Sequence, residues 1–381
     1  MRELFWLSLA ALFYTYVGYP LLVWVLARLF GSEPNRREIF PSVSLLIPCY
    51  EEERHIEEKL RNSLDLDYPK GRLEIVVASD GSTDRTDEIV RRFHSQGVKL
   101  LSLRSHLGKS AMLSRVVPRL QGRIIVFSDA SSRLKSDALR LLVRSFADSK
   151  VGCVSGGYHL ISSSDLRSQG EGLYWRYETW IKRMESMLHS ILGAHGALYA
   201  VRKGLFRPLA DGSINDDYLI PMRVVTLGHR AVYDPEAVAW EQESTSVRGE
   251  FARRRRIAAG NCQQIGQLKE LFNSRNGGLA FSFLSHKVLR TCAPFLMLAL
   301  LASSFWLSWP CSGIALALQL LFYLTAFLGF LAQRWGWRWR LLSPCFYFCL
   351  GNLAMLAGVL RYLAFGPPAW GLSKSFDAAS A

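Results

Sequence analysis

Acidic residues follow three apolar runs of the chain, and these residues are the first candidates for chemistry. Glu52 follows the run VSLLIPCY, Asp80 follows LEIVVAS, and Asp129 lies at the end of RIIVFSDAS. A carboxylate can accept a proton, bind a hydroxyl group, or provide the hard oxygen ligands that magnesium and manganese prefer. Each cluster taken singly also suits a turn or the acid-rich start of a helix. Their shared position after an apolar run favours a common site.

A second acidic group and a run of arginines occur later in the chain. Asp216 and Asp217 form a doublet in INDDY, and Arg253–Arg256 lie in EFARRRRIAAG. Guanidinium groups bind phosphates through paired hydrogen bonds, which suits a phosphate-containing ligand. An amphipathic helix lying on a membrane surface is the alternative for this segment. The apolar residues that would form its buried side are Ile265, Leu268, Leu271 and Phe272.

The elements that must position these groups are predicted by the hydropathy pattern. VSLLIP, LEIVVAS and RIIVFSDA are rich in valine and isoleucine without alternation, which predicts strands buried on both faces. From Phe40 to about Asn273, such runs alternate with amphipathic stretches. This pattern predicts an α/β domain with a mainly parallel central sheet. Ligands of such sheets bind at the carboxyl ends of the strands, where the acidic clusters would lie.

Long apolar segments flank this region on both sides. Half of the 381 residues are hydrophobic and the mean hydropathy is +0.11. A membrane-spanning helix needs about 20 apolar residues. The segments that reach this length are Leu4–Phe30, Val288–Trp309, Gly313–Ala332 and Leu341–Phe365. The first exceeds the apolar core of about 7 to 15 residues in a signal peptide, so we expect it to be retained. The sequence predicts a multi-pass protein of the cell membrane.

The basic residues indicate the orientation of the chain in that membrane. The formal net charge is +14, and many of the basic residues lie beside the apolar segments. Arg36 and Arg37 follow the first segment, Lys287 precedes the second, and the turn WPCSG between the second and third has no charge. Short basic loops stay cytoplasmic, which predicts a cytoplasmic middle domain and leaves the side of the C-terminus open. No nucleic-acid recognition motif accompanies the charge, so we expect no nucleic-acid partner.

The order of the motifs resembles a known family. IPCYEEE, SDGSTD, LGKS, FSDAS and INDDY, followed by an arginine-rich helix, occur between Pro41 and Gln264. This order is similar to that of membrane-bound family-two glycosyltransferases of the GT-A fold, including cellulose synthase-like and polysaccharide synthase-like proteins. The resemblance implies an inverting, metal-dependent hexosyltransferase. Its donor would be a nucleotide-diphosphate sugar, most commonly UDP-linked, and its acceptor a lipid-linked or polysaccharide molecule at the cytoplasmic membrane face.

The resemblance also implies roles for individual residues. Asp217 would be the general base, with Asp216 beside it. Asp129, as the first Asp of the DxD motif, would bind Mg²⁺ or Mn²⁺, although Ser131 replaces the second Asp. The other donor-binding residues would be Pro48, Tyr50, Glu52, Asp80, Lys109, Arg253 and Arg256.

The acceptor side is less specifically marked. Trp175 and Trp180 lie in the amphipathic stretch EGLYWRYETWIKRMESMLHS and could stack on an acceptor sugar, but aromatic residues at helical spacing also suit a core. His195 is assigned a structural role. Ile257 stands where the polysaccharide synthases have the tryptophan of QxxRW, which weakens a prediction of processive synthesis.

The expected organisation follows from these segments. The predicted parts are an N-terminal transmembrane helix and linker (1–39), a GT-A domain (40–247), arginine-rich and interfacial helices (248–286), C-terminal transmembrane helices (287–365) and a tail (366–381). Membrane lipids and proteins of polysaccharide synthesis or export are expected partners. The alternative function is that of an inactive membrane scaffold or binding subunit of a polysaccharide synthesis complex, because the second metal Asp and the Trp are both absent.

Overall fold

The computed structural model describes residues 1–161, 167–242, 247–272, 277–335 and 342–366. The strands are β1 (Val43–Cys49), β2 (Leu73–Ser79), β3 (Val98–Ser102), β4 (Ile124–Phe127), β5 (Ser132–Leu134), β6 (Val151–Ile161), β7 (Tyr199–Arg202) and β8 (Arg230–Gln242). The helices before the C-terminal spans are α1 (Arg2–Phe30), α2 (Ile56–Leu64), α3 (Thr86–Arg91), α4 (Lys109–Val116), α5 (Ala138–Arg144), α6 (Arg167–Leu188), α7 (Asp216–Thr226) and α8 (Val247–Gln267). The C-terminal spans are α9 (Gly277–Ser304), α10 (Cys311–Arg334) and α11 (Ser343–Phe365).

The strands form one mixed sheet in the order β3-β2-β1-β4-β7-β6-β8-β5. The pairs β1–β2, β2–β3, β1–β4 and β6–β8 are parallel, whereas β7 pairs antiparallel with both β4 and β6, and β5 with β8. The prediction of a mainly parallel sheet is therefore confirmed. Because β1, β2 and β4 run in the same direction, the motifs after them lie along one edge.

The predicted burial of the central strands is also confirmed. All seven residues of β1 are buried. Leu45 and Ile47 pack with helix α2 on one face of the sheet, and Leu46 packs with helix α4 on the other. Both faces are covered by helices, which explains why the strand sequences lack polar alternation.

Four helices are long and apolar enough to cross a membrane, one at the N-terminus and three near the C-terminus, as predicted. Helix α9 begins at Gly277, earlier than the predicted Val288, and contains a π-helical turn at Phe283–Val288. The part of α9 before the predicted apolar segment includes His286, which pairs with Glu185 of α6. The segments 336–341 and 367–381 lie outside the described residues.

A buried polar network attaches the sheet domain to the spans. Glu185 of α6 accepts a 2.7 Å hydrogen bond from the Tyr19 hydroxyl of α1 and pairs with His286 Nδ1 of α9 at 2.7 Å. Glu178, two turns earlier on α6, pairs with Arg290 of α9. Hydrogen-bonded charges of this kind are strongly directional, so α6 has a defined position against both spans.

The arginine-rich helix α8 packs closely against the last span. A Cβ atom at Gly358 of α11 would lie 2.3 Å from the Arg255 carbonyl oxygen, so only glycine fits at this contact. Two of the four apolar residues that would face the membrane in an interfacial helix are instead covered by the protein. Leu268 and Leu271 are fully buried in the core beside Phe283, because α8 ends at Gln267 and the next turn folds back onto the sheet domain.

Candidate active site

A cavity of about 670 Å³ lies at the carboxyl ends of β1 and β4 and is also lined by residues of the long apolar helices α1, α9 and α11. Pro48 and Glu52 line its end near β1. Tyr16 of α1 and Phe348 and Met355 of α11 line the opposite end. Polar residues at the sheet edge and apolar residues of the candidate membrane helices therefore line one cavity.

Lys109 connects the acidic motifs in this cavity. It is the first residue of α4, and its Nζ lies 2.9 Å from Asp129 Oδ1 and 3.3 Å from Asp216 Oδ2. Burial alone would lower the pKa of Lys109, but the carboxylates of Asp129, Asp216 and Asp217 raise it above its ordinary value. Burial opposes ionisation of Asp129, yet Lys109 keeps its pKa below the ordinary value. The two motifs thus meet as charged groups around one ammonium.

The two carboxylates of the doublet have different environments. Asp216 is buried, where Lys109 and the Tyr199 hydroxyl contact its Oδ2 atom. Asp217 is less buried, lines the cavity, and accepts a 3.2 Å hydrogen bond from the Gly196 N–H. Burial, and then the neighbouring Asp216, raise the pKa of Asp217 to about 6. A carboxylate with a raised pKa is suited to proton transfer near neutral pH.

Gly196 is required by the close approach of these groups. A Cβ atom at Gly196 would lie 2.6 Å from Asp129 Oδ2. The Gly196 carbonyl also accepts a 3.2 Å hydrogen bond from the Asp129 N–H. This glycine therefore lets the segment before β7 hold Asp129 and Asp217 on either side of it.

A third acidic residue stands beside the incomplete DxD motif. The Ser131 hydroxyl donates a 2.6 Å hydrogen bond to Glu241 Oε1, and the Tyr158 hydroxyl donates one of 3.0 Å to Glu241 Oε2. Glu241 was not identified from sequence, because it lies on β8 and only the pairing of β5 with β8 brings it here. Asp129, Ser131 and Glu241 offer oxygen atoms of the type that fits Mg²⁺ or Mn²⁺. No group of three His, Cys, Asp or Glu residues in ligand geometry occurs within the described part of the chain.

Arg253 and Arg256 of α8 both line the cavity, but they differ in their hydrogen-bond partners. Arg253 pairs with Glu250 through a 3.0 Å contact from its Nε to Oε2. Arg256 has a buried Nε atom without a hydrogen-bond partner among the described residues, and burial lowers its pKa. A buried guanidinium donor that lacks a partner is costly unless a ligand completes it. Arg256 is therefore the stronger candidate for an anionic ligand.

Aromatic residues form one wall of the cavity. The His195 and Tyr158 rings stack with centroids 3.7 Å apart, and Trp175 meets His195 edge-on at 5.2 Å. Burial, and then the charge of Lys182, lower the pKa of His195 to about 3. Its Nδ1 atom accepts a 3.2 Å hydrogen bond from the Ala197 N–H, so Nε2 carries the proton. His195 thus belongs to the cavity wall, where it supports the rings of Tyr158 and Trp175.

Trp180 lies away from this wall. It packs against a cluster that includes Tyr19 and Val23 of α1, and it does not line the cavity. Trp175 and Trp180 are five positions apart on α6, which is a rotation of about 140° around the helix axis. The two tryptophans therefore face different neighbours, and only Trp175 fits the predicted acceptor side.

Asp80 and Tyr50 also lie outside the cavity lining. The fully buried Asp80 carboxylate accepts hydrogen bonds from the N–H groups of Leu107 (3.0 Å) and Gly108 (2.8 Å). The Tyr50 ring lies 4.1 Å from that of His106. In the structure Asp80 holds the loop that starts helix α4 and so positions Lys109. The base- and ribose-binding roles of Asp80 and Tyr50 stay predictions from the resemblance.

Lys59 contacts residues on both sides of Asp129. The sequence did not indicate this role, because Lys59 lies in the polar stretch EEERHIEEKL. Its buried Nζ donates to Ser128 Oγ (2.6 Å), the Ser132 carbonyl (2.8 Å) and Ser132 Oγ (3.0 Å). Burial lowers its pKa to about 7. Lys59 therefore holds both ends of the segment that carries Asp129.

Lys59→Met should lower the free energy of unfolding by about 1–3 kcal/mol, because the buried Ser132 carbonyl loses its donor. Denaturant unfolding of the purified protein in detergent measures the change. The exposed Lys70→Met serves as control and should change stability by no more than about 0.5 kcal/mol. Equal stability of the two variants would show that Lys59 does not hold this segment.

The chain resembles known proteins in both sequence and structure. It is 29% identical over 249 residues to the probable glycosyltransferase YdaM of Bacillus subtilis, covering 60% of this chain and 56% of that protein. It is 27% identical over 262 residues to the β-monoglucosyldiacylglycerol synthase of Trichormus variabilis, and the match covers 66% of this chain and 55% of that protein. It is 24% identical over 224 residues to the poly-β-1,6-N-acetyl-D-glucosamine synthase of Staphylococcus epidermidis, and the match covers 57% of this chain and 54% of that protein. The chain spans about half the length of these relatives.

A solved structure shows the same fold over nearly the whole chain. The mannosyltransferase PcManGT from Pyrobaculum calidifontis, in complex with GDP-Man and Mn²⁺, superposes with a TM-score of 0.70 at 24% identity, covering 94% of this chain and 99% of that one. The sheet domain therefore has the GT-A fold. The family model described as Glycosyltransferase like family 2 matches residues 41–260, more than half of the chain. The chain belongs to glycosyltransferase family 2.

Proposed function

We propose that the protein is an inverting glycosyltransferase that moves a sugar from a nucleotide-diphosphate sugar, with uridine as the expected base, to a lipid-linked or polysaccharide acceptor. The convergence of Asp129, Lys109, Asp217 and Arg256 on a cavity that is also lined by the apolar helices α1, α9 and α11 carries the proposal. The named relatives support it, because one is a glycolipid synthase and another a polysaccharide synthase. The catalytic domain faces the cytoplasm, as the basic residues beside the spans favour.

The proposed reaction assigns the proton transfer to Asp217. Asp217 takes a proton from the acceptor hydroxyl while that oxygen displaces the nucleotide diphosphate from the anomeric carbon, so the configuration inverts and no covalent intermediate forms. Asp216 is held by Lys109 and is therefore less able to reach the acceptor. Arg256, with Arg253 beside it, binds the diphosphate, and Pro48 and Glu52 contact the nucleoside. Trp175 contacts the acceptor.

A divalent cation would be held by Asp129, Ser131 and Glu241. When bound, Mg²⁺ or Mn²⁺ offsets the negative charge of the departing diphosphate. Lys109 keeps Asp129 ionised, which is the state that a cation requires. The lost DxD carboxylate is compensated in this proposal by Glu241, a residue from a different strand.

A donor screen tests the proposed function. The purified full-length protein in detergent is incubated with UDP-, GDP- and dTDP-linked sugars, and released nucleotide diphosphate is measured with Mn²⁺ and with EDTA. We expect release that depends on one donor and on the cation. No release above background from any donor, together with donor binding by calorimetry, would favour the scaffold function instead.

Removal of the cation should abolish donor turnover, and Glu241→Gln should weaken Mn²⁺ binding by about 10-fold or more, because a neutral amide replaces a carboxylate near the cation. Electron paramagnetic resonance of free Mn²⁺ measures the affinity. The exposed Glu236→Gln on the same strand is the matched control. Equal Mn²⁺ affinity of both variants would remove Glu241 from the cation site.

The transfer rate should fall as the pH is lowered through about 6. The pKa of Asp217 is raised to about 6, so below that pH the carboxyl group is protonated and cannot accept the acceptor proton. The expected loss is about 10-fold per pH unit in this range. Initial rates between pH 5 and pH 8 at saturating donor measure the profile, and a rate that is constant down to pH 5 would contradict the role of Asp217.

A further inference from the structure

Two lysines line the cavity where it approaches the membrane-spanning helices. Lys182 lies on α6 and Lys287 on α9. Their Nζ atoms stand 5.9 Å from the Tyr233 ring centroid and 5.6 Å from the Tyr218 ring centroid, respectively. Neither ammonium group forms a hydrogen bond or an ion pair with the described residues. Contacts with aromatic faces at these distances compensate only a small part of the lost hydration.

Three acidic side chains act on these lysines, namely Glu178, Glu185 and Asp217, and the first two already have other partners. Glu178 pairs with Arg290, and Glu185 binds both Tyr19 and His286. Burial, and then the charge of Lys287, lower the pKa of Lys182 to about 8. Two neighbouring cations in a partly dehydrated cavity repel each other, and an anion between them relieves both the repulsion and the lost hydration.

Lys182 and Lys287 belong to helices α6 and α9, whereas the proposed nucleoside-binding residues follow strand β1. The nucleotide end is lined by Pro48 and Glu52 near β1, whereas the opposite end is lined by Tyr16, Phe348 and Met355 of the spans. The helices that carry the two lysines, α6 and α9, are connected by the ion pair between Glu178 and Arg290. An anionic head group at the lysines would thus have apolar and aromatic side chains next to it for a hydrocarbon chain.

We propose that Lys182 and Lys287 bind the phosphate group of a lipid acceptor whose hydrocarbon chain extends towards Tyr16 of α1 and Phe348 of α11. The proposal rests on the proposed function, because it names the acceptor of the same site. The phosphate is the group that needs two cations, and ammonium groups form charge-assisted hydrogen bonds with it. In this proposal the phosphate anchors the lipid, and a hydroxyl group of the same acceptor is the nucleophile that Asp217 deprotonates, because both lysines and Asp217 line one cavity.

The test compares three probes on the full-length protein in detergent by calorimetry. The probes are farnesyl phosphate, farnesol and inorganic phosphate. We expect farnesyl phosphate to bind at least 10-fold more tightly than the other two, because only it has both the charge and the chain. Equal affinity for farnesol would overturn the phosphate assignment, and equal affinity for inorganic phosphate would overturn the lipid assignment.

Variants locate the binding site. Lys182→Gln and Lys287→Gln should each weaken farnesyl phosphate binding by about 10- to 100-fold, the effect of one charge-assisted hydrogen bond. Lys182→Arg should retain most of the affinity, since it retains the cation. The control is Arg183→Gln, which removes an exposed cation from the next position of α6 and should have no effect. Unchanged affinity in both glutamine variants would overturn the proposal.

The outcomes separate this proposal from the proposed function. Selective binding of farnesyl phosphate without turnover of any nucleotide sugar would support the lipid phosphate site and refute the transferase. Turnover that does not depend on Lys182 or Lys287, with an unphosphorylated acceptor, would support the transferase and refute the lipid phosphate site. In an active protein, the lysine variants should raise the KM for the phosphorylated lipid by about 10-fold or more.

Discussion

Asp217→Asn should lower kcat for sugar transfer by about 10²- to 10⁴-fold, the usual contribution of a positioned general base. Asparagine has nearly the same shape, and its side-chain oxygen can still accept the hydrogen bond from the Gly196 N–H. It cannot take up the proton of the acceptor hydroxyl. Folding and donor binding should therefore persist while the chemical step is lost. Steady-state kinetics with the donor identified in the screen measures the effect.

Two comparisons make this result specific. Asp211→Asn removes an exposed carboxylate from the preceding loop and should leave kcat unchanged. The donor dissociation constant of Asp217→Asn, measured by calorimetry, should stay within about 3-fold of the wild-type value, because the Asp217 carboxylate is assigned to the acceptor and not to the donor. Wild-type turnover by Asp217→Asn would show that another group takes the proton.

Arg256→Met should lower kcat/KM for the donor by about 10²- to 10³-fold, the range found when a preorganised electrostatic donor is removed. The buried Nε atom of Arg256 has no hydrogen-bond partner among the described residues, so its donor is available to the diphosphate. Charge grows on the diphosphate as the sugar leaves, and a guanidinium in a dehydrated cavity stabilises that charge strongly. The effect should therefore include kcat as well as KM.

The neighbouring Arg255 is a matched control. It is part of the same helix and the same arginine run, but it does not line the cavity. Arg255→Met should keep kcat/KM within about 3-fold of wild type, since it contacts neither donor nor acceptor. Arg256→Lys should recover part of the lost rate, because an ammonium keeps the charge but not the bidentate geometry. Equal effects of the two methionine variants would mean that the run acts only through its net charge.

Local pattern was sufficient for the elements and for several site residues. The valine- and isoleucine-rich runs identified β1, β2 and β4, and apolar length identified the four membrane-spanning helices. Both features arise from neighbouring residues and need no knowledge of the fold. Asp129 was found in the same way because it follows a strand, whereas the role of Asp217 was implied by the resemblance. Asp129 and Asp217 line one cavity, whereas the ion pairs of Lys109 with Asp129 and Asp216 were not predicted.

Other features depend on residues that are distant in the sequence. Trp175 and Trp180 look equivalent in an amphipathic stretch, and only the rotation of α6 against α1 separates them. Leu268 and Leu271 have the spacing of an interfacial helix, but the chain folds back and buries them beside Phe283. The spacing of apolar residues indicates that one face of a helix will be buried, but it does not indicate whether protein or membrane buries it.

Short segments read in order were enough to predict β1, β2 and β4, the four long apolar helices, the acidic doublet and the family. The set of residues that forms the site depends on the fold. Pairing of β5 with β8 brings Glu241 to Ser131, and docking of α6 on α9 places Lys182 and Lys287 in one cavity. The physical reason is that the charge state and partners of a polar side chain depend on burial and on groups supplied by remote elements.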